Sequence, residues 1–121
     1  MSDVDQAEVE RLRAAGAQLA RIHAGLRADL AAARRDPLVH CLAFCAALET
    51  HHRTEDGVFP RIEAHFPELK PVIARLRAEH ADLARRIAEL EAEPDPAALE
   101  RLAGELEEHF ALEERELSRL G

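Results

Sequence analysis

Glu49-Thr50-His51-His52-Arg53-Thr54-Glu55-Asp56-Gly57-Val58-Phe59-Pro60 is the stretch that decides how this chain folds. Its His51-x-x-x-Glu55 step, read as helix, puts an imidazole and a carboxylate one turn apart on the same face. A second copy follows at Glu107-Glu108-His109-Phe110-Ala111-Leu112-Glu113-Glu114. Each copy is preceded by a lone histidine, His23 after Leu19-Ala20-Arg21-Ile22 and His80 after Leu76-Arg77-Ala78-Glu79. His23 maps onto His80 at an offset of 57 residues and His51 onto His109 at 58, with Glu55 on Glu113 and Asp56 on Glu114. The chain therefore reads as two matching halves carrying six groups of the kind that bind metal.

Composition bounds the rest. Ala, Leu, Glu, Arg and Lys make up 74 of the 121 residues, and there is no Tyr or Trp. These strong helix formers predict an all-α chain, long enough for one domain over residues 1–121. A net charge of −8 argues against nucleic acid and anionic membrane surfaces, which call for a basic footprint. No apolar run approaches the roughly 18 residues of a membrane span, and the acidic start Met1-Ser2-Asp3-Val4-Asp5 is unlike a signal peptide, so a cytoplasmic protein is expected. Cys41 and Cys45 read as reduced thiols in or near the core, as in a cytosolic protein.

Proline marks the boundaries. Asp36-Pro37 and Asp95-Pro96 each pair a helix-capping side chain with proline at the first helical position. Phe66-Pro67, with Pro71 close behind, breaks the chain between them. Four helices are predicted over about 5–35, 37–65, 68–93 and 96–120, with Pro60 bending the second rather than ending it. Apolar stripes agree: Val9, Leu12, Leu19, Leu26 and Leu30; Phe44, Leu48, Val58 and Ile62; Leu69, Ile73, Leu76, Leu83, Ile87 and Leu90; Leu99, Leu102, Leu106, Phe110 and Leu117. Short turns between long helices predict an antiparallel up-down-up-down four-helix bundle.

His23, His51, His80 and His109 all lie on these stripes, each 13 to 15 residues from the turns beside it. At about 1.5 Å rise per residue they reach one level, roughly 20–22 Å from the turns. A lone histidine on an apolar stripe is ordinarily a hydrogen-bonded core residue. Six polar groups converging without a cation would cost several kcal/mol each in desolvation, at roughly the magnitude known for buried polar groups. His52, about 100° round the helix from His51, reads as a boundary residue and is the alternative ligand to His51. His40, three turns before His51 on the same face, reads as a hydrogen-bonding or access-route residue, and His65 as solvated. Asp56 and Glu114 read as helix-surface charge, with Glu114 the alternative to Glu113.

The pattern His23, His51-x-x-x-Glu55, His80, His109-x-x-x-Glu113 resembles the hemerythrin-like (HHE) domain family over essentially the whole chain, and His51-His52-Arg53-Thr54-Glu55-Asp56-Gly57-Val58-Phe59-Pro60 is similar to that family's second-helix motif. The resemblance implies a four-helix bundle holding two non-haem iron ions with an oxo or hydroxo bridge. By position, His23 and His51 would serve one iron, His80 and His109 the other, and Glu55 and Glu113 would bridge. Manganese or zinc suits the same ligands. Oxygen-carrying hemerythrins have a further third-helix histidine where this chain has Ala84, and usually place the last carboxylate where it has Glu114.

With four histidines, each iron keeps an open position, as a catalytic metal needs. The expected function is binding of O2, H2O2 or NO, with catalase-like peroxide turnover in stress protection favoured over oxygen carriage. Arg27, one turn after His23 in the slot matching Ala84, is a candidate for stabilising bound peroxide, the other reading being an arginine that snorkels to the surface. The alternatives are a non-catalytic iron or oxygen sensor, and an iron storage or donor protein. A monomer or weak homodimer is expected.

Overall fold

The computed structural model describes the backbone of residues 3–117 and the side chains of residues 6–36 and 40–117. Helix α1 spans Asp3–Arg35, α2 Pro37–His65, α3 Lys70–Ala92 and α4 Pro96–Leu117, with a 3-10 turn over Pro67–Leu69 ahead of α3. There is no strand among the described residues. The expected end of the fourth helix, residues 118–120, lies outside them.

The punctuation works as local chemistry dictates, with two adjustments. The third helix starts at Lys70 rather than 68. Pro71 has no N–H to offer the Pro67 carbonyl, so the Lys70 N–H takes it instead and the first turn tightens. Helix α2 continues through Pro60 to His65, and Ile62 beyond the proline is buried as the stripe predicts. The two capping aspartates differ. Asp95 Oδ1 accepts the Ala97 N–H at 3.1 Å, whereas the Asp36 side chain makes no cap hydrogen bond.

Helices α1 and α3 each pack against both α2 and α4. The predicted stripe residues are buried, Val58 alone being only half-buried, and Phe59 and Leu112 join them. They form two separate apolar clusters. One gathers Leu26, Leu30, Phe44, Leu48, Leu83, Leu102 and Phe110 with their neighbours, and includes both free cysteines, Cys41 and Cys45. The other gathers Leu12, Leu19, Phe59, Ile62, Ile73, Leu76 and Leu117. Along every helix the histidines fall between residues of one cluster and residues of the other. A polar layer thus sits mid-bundle with apolar packing on both sides, which removes water from it and raises the cost of any charge left unpaired there. No helix among the described residues is long and apolar enough to cross a membrane.

Candidate metal centre

All six predicted residues meet in that layer. His23, Glu55, His80, His109 and Glu113 are buried, and His51 is only slightly exposed. The histidines pair within each half: His23 Nε2 lies 3.1 Å from His51 Nε2, and His80 Nε2 lies 3.1 Å from His109 Nε2. Two nitrogens bound at right angles to one ion, with bonds of about 2.1 Å, would stand roughly 3.0 Å apart.

Each glutamate faces both pairs. Glu55 Oε1 is 2.9 Å from His51 Nε2 and 3.6 Å from His80 Nε2. Glu113 Oε1 is 2.7 Å from His109 Nε2 and 3.7 Å from His23 Nε2. Despite these approaches, all four carboxylate oxygens of Glu55 and Glu113 are buried without a partner in hydrogen-bonding geometry.

The outer ring nitrogens settle what the inner ones can do. His80 Nδ1 donates to Asp56 Oδ1 at 2.8 Å, and His109 Nδ1 donates to Glu79 Oε1 at 2.7 Å. An ionised carboxylate only accepts, so each Nδ1 carries a proton, and a ring with that single proton leaves its Nε2 bare. Two lone pairs facing each other at 3.1 Å repel unless a cation lies between them. Burial, reinforced by the neighbouring His80, lowers the pKa of His109 and so opposes supplying that cation as a proton.

The electrostatics of the layer carry the same signature. Burial pushes the Glu113 carboxyl up to about 12, with the Glu55 carboxylate beside it adding to the effect. Burial also works against charge on Glu55, but the close approach of His51, the neighbouring Glu113 carboxyl and His80 hold it down at about 2. The pair therefore shares one proton, as close carboxylates do. Burial, with His51 adjacent, lowers His23 to about 4, which keeps its ring neutral and fit to be a ligand at pH 7.

Two overlapping groups of donor atoms, each within 4.8 Å of one another, result: His23, His51, Glu55 and Glu113; and His52, Glu55, His80, His109 and Glu113. The glutamates belong to both. A family comparison agrees with this arrangement, since the model of the hemerythrin HHE cation-binding domain matches residues 6–120. The chain belongs to the hemerythrin HHE cation-binding family. No curated protein and no solved structure matches it significantly.

Within this hemerythrin-like domain three readings of the sequence need correction. His52 is not a boundary residue. It is buried, its ring stacks on His80 with centroids 4.1 Å apart, and its Nε2 has no hydrogen-bond partner. One hundred degrees from His51 would reach solvent on an outer helix, but α2 packs against α1 on one side and α3 on the other, so both directions lead inward at this level. Asp56 and Glu114 are not mere surface charge. Asp56 orients His80, and Glu114 accepts both Arg27 Nη1 (3.1 Å) and Nη2 (2.8 Å) while lying 3.7 Å from His23 Nδ1. Glu79 was unmarked in the sequence reading, although its place one residue before His80 was the available signal.

The remaining candidates fall outside the donor groups. Arg27 directs Nε to Glu107 at 2.9 Å, besides its two bonds to Glu114, and its guanidinium lies over the Phe110 ring that stacks on His23. Arg27 thus braces the back of His23. His40 is exposed and His65 half-buried, and neither joins the donor groups.

Proposed function

We propose that this chain is a hemerythrin-like di-iron protein that binds small oxygen or nitrogen ligands, O2, H2O2 or NO, between its four helices. Two irons, when bound, would supply Lewis acidity and one-electron redox chemistry to such ligands. In this reading the helices run up-down-up-down and antiparallel as one domain, as the one-residue connection from α1 to α2 and the three-residue connection from α3 to α4 favour. His23 and His51 hold one metal, His80 and His109 the other, and Glu55 and Glu113 span both. The observation that carries the proposal is the pair of Nε2 atoms of His80 and His109, facing each other 3.1 Å apart beside partnerless carboxylates.

The residues around the metals have separable tasks. Asp56 and Glu79 fix tautomers and ring orientation, which raises the basicity of the opposite nitrogen. Phe59 and Phe110, stacked on His80 and His23, exclude water from the two rings. On the α1–α2 side a small, mostly apolar cavity of about 120 Å³, lined by Leu12, Leu19, Ile22, Val58 and Phe59, reaches His51 and Glu55. It offers a small uncharged ligand a path to the metal held by His23 and His51.

Peroxide turnover is a second reading, favoured by Ala84 where oxygen carriers have a histidine. It converts two hydrogen peroxide molecules to two of water and one of dioxygen, and needs an open position on both metals. The test begins with metal analysis and an optical spectrum of protein purified after iron loading. Two irons per chain and strong near-ultraviolet absorption are expected, and a fully folded chain with no stoichiometric transition metal overturns the proposal. Oxygen release on adding peroxide, compared with free iron, then separates turnover from simple binding.

A further inference from the structure

We infer that His52 is a fifth imidazole ligand, supplied by α2 to the metal of His80 and His109 in the place that Ala84 leaves empty on α3. This inference rests on the two-metal reading above and changes its consequence. His52 is only 5% exposed, and its Nε2 is buried with no hydrogen-bond partner. A buried ring nitrogen left unpaired is destabilising, as any unsatisfied polar atom is, so it calls for a partner. The atoms within reach are ligand atoms. One nitrogen of His52 falls within 4.8 Å of the donor atoms of Glu55, His80, His109 and Glu113, all in one group. Its ring is stacked on His80 with centroids 4.1 Å apart and stands edge-on to His109 at 5.1 Å, so it must turn out of that stack to share their ion. No member of the other donor group except the shared glutamates is in its set.

The position also explains the departure at Ala84. His52, His80 and Ala84 line one cleft of about 190 Å³ on the α2–α3 side. A side chain of histidine size on α3 one turn after His80 would enter the space next to His80 that the His52 ring approaches from α2. The ligand count is then unequal, five protein groups on one metal and four on the other. The metal of His23 and His51, beside the apolar cavity, becomes the one with room for an incoming ligand. Binding at a single metal follows, and turnover that needs both metals open does not.

Ferrous-loaded protein in water provides a count that involves no activity. Each imidazole bound to high-spin ferrous iron shifts its remaining ring N–H proton far downfield in the proton NMR spectrum. Five such exchangeable signals are expected from the native chain, and four from His52→Gln. The chelator-driven loss of one metal, and not the other, should accelerate about tenfold or more in the variant, at least the change typical of losing a group that merely orients a ligand. Four signals in the native chain, unchanged in His52→Gln, overturn the inference and leave the two-metal reading standing. Five signals in both proteins also overturn it, since the fifth ligand is then another histidine. No shifted signals in the native chain overturn the two-metal reading itself.

Discussion

The two halves of this molecule carry the same donor residues and surround them differently. In the α3–α4 half, both histidines donate Nδ1–H to a carboxylate, His80 to Asp56 and His109 to Glu79. In the α1–α2 half, His23 Nδ1 is buried without a hydrogen-bond partner, with Glu114 3.7 Å away and bound to Arg27. The position matching Glu79 is Ile22, 45% exposed and unable to accept anything. On the proposed two-metal reading, the duplicated donors would place the metals, while their neighbours decide which one is held in a fixed orientation and which keeps freedom to take a ligand. The looser half is also the one that the apolar cavity reaches.

The largest expected effect erases the comparison. Glu55 and Glu113 belong to both donor groups, so Glu113→Ala should abolish stoichiometric binding of the pair, whereas His51→Ala should empty the first position and leave the second occupied. Metal content per folded chain, checked by circular dichroism, decides. Loss of only one metal in Glu113→Ala would show that this glutamate serves one half alone.

Next comes the difference in support. Asp56→Ala or Glu79→Ala should weaken the second metal by about 10–100-fold, the usual range for removing a partner of a metal-bound histidine. Glu114→Ala should act less, because Glu114 is not within hydrogen-bonding distance of His23. Conversely, Ile22→Glu supplies the acceptor that the first half lacks and should slow metal loss there. Competition with a chelator measures all four. Equal effects of Asp56→Ala and Glu114→Ala would mean the halves are equivalent in solution.

The fold and most of the centre were legible because each signal was repeated. Proline after aspartate occurs twice, the His-x-x-x-Glu step twice, and equal arm lengths bring the histidines to one level. His52 was illegible for a geometric reason: a helix with one neighbour has an inside and an outside, whereas α2 at this level has buried neighbours on two sides. Asp56 and Glu79 were missed because a carboxylate beside a ligand looks like any of the acidic residues that make up a fifth of this chain (24 of 121). Only packing reveals which carboxylate meets a ring nitrogen of the next helix.

A pH dependence of the metal-stripped chain sharpens the contrast further. Burial, with His80 and His109 close by, lowers His52 to about 2, and burial with His51 close by lowers His23 to about 4, from an ordinary 6.5. The unfolded chain therefore takes up protons below pH 6.5 that the folded one refuses. Stability is full above that value and falls as the pH drops from 6.5 toward 4, by up to about 1.4 kcal/mol per pH unit for each group. His52→Leu should flatten this slope in denaturant titrations run with a chelator. An unchanged slope would mean that His52 is solvated.

The smallest effect compares how the halves begin their second helices. Asp36-Pro37 and Asp95-Pro96 look alike in sequence, yet only the Asp95 side chain accepts a backbone N–H of the helix it precedes. The Asp36 side chain is exposed and makes no such bond, so there α2 is started by proline geometry and its packing against α1. Asp95→Ala should cost about 1 kcal/mol, the ordinary value of a helix cap, and Asp36→Ala no more than a few tenths. Thermal unfolding of the two variants in parallel reads the difference directly. A cost at Asp36 equal to that at Asp95 would place a cap hydrogen bond at both starts, and the halves would then differ only around their histidines.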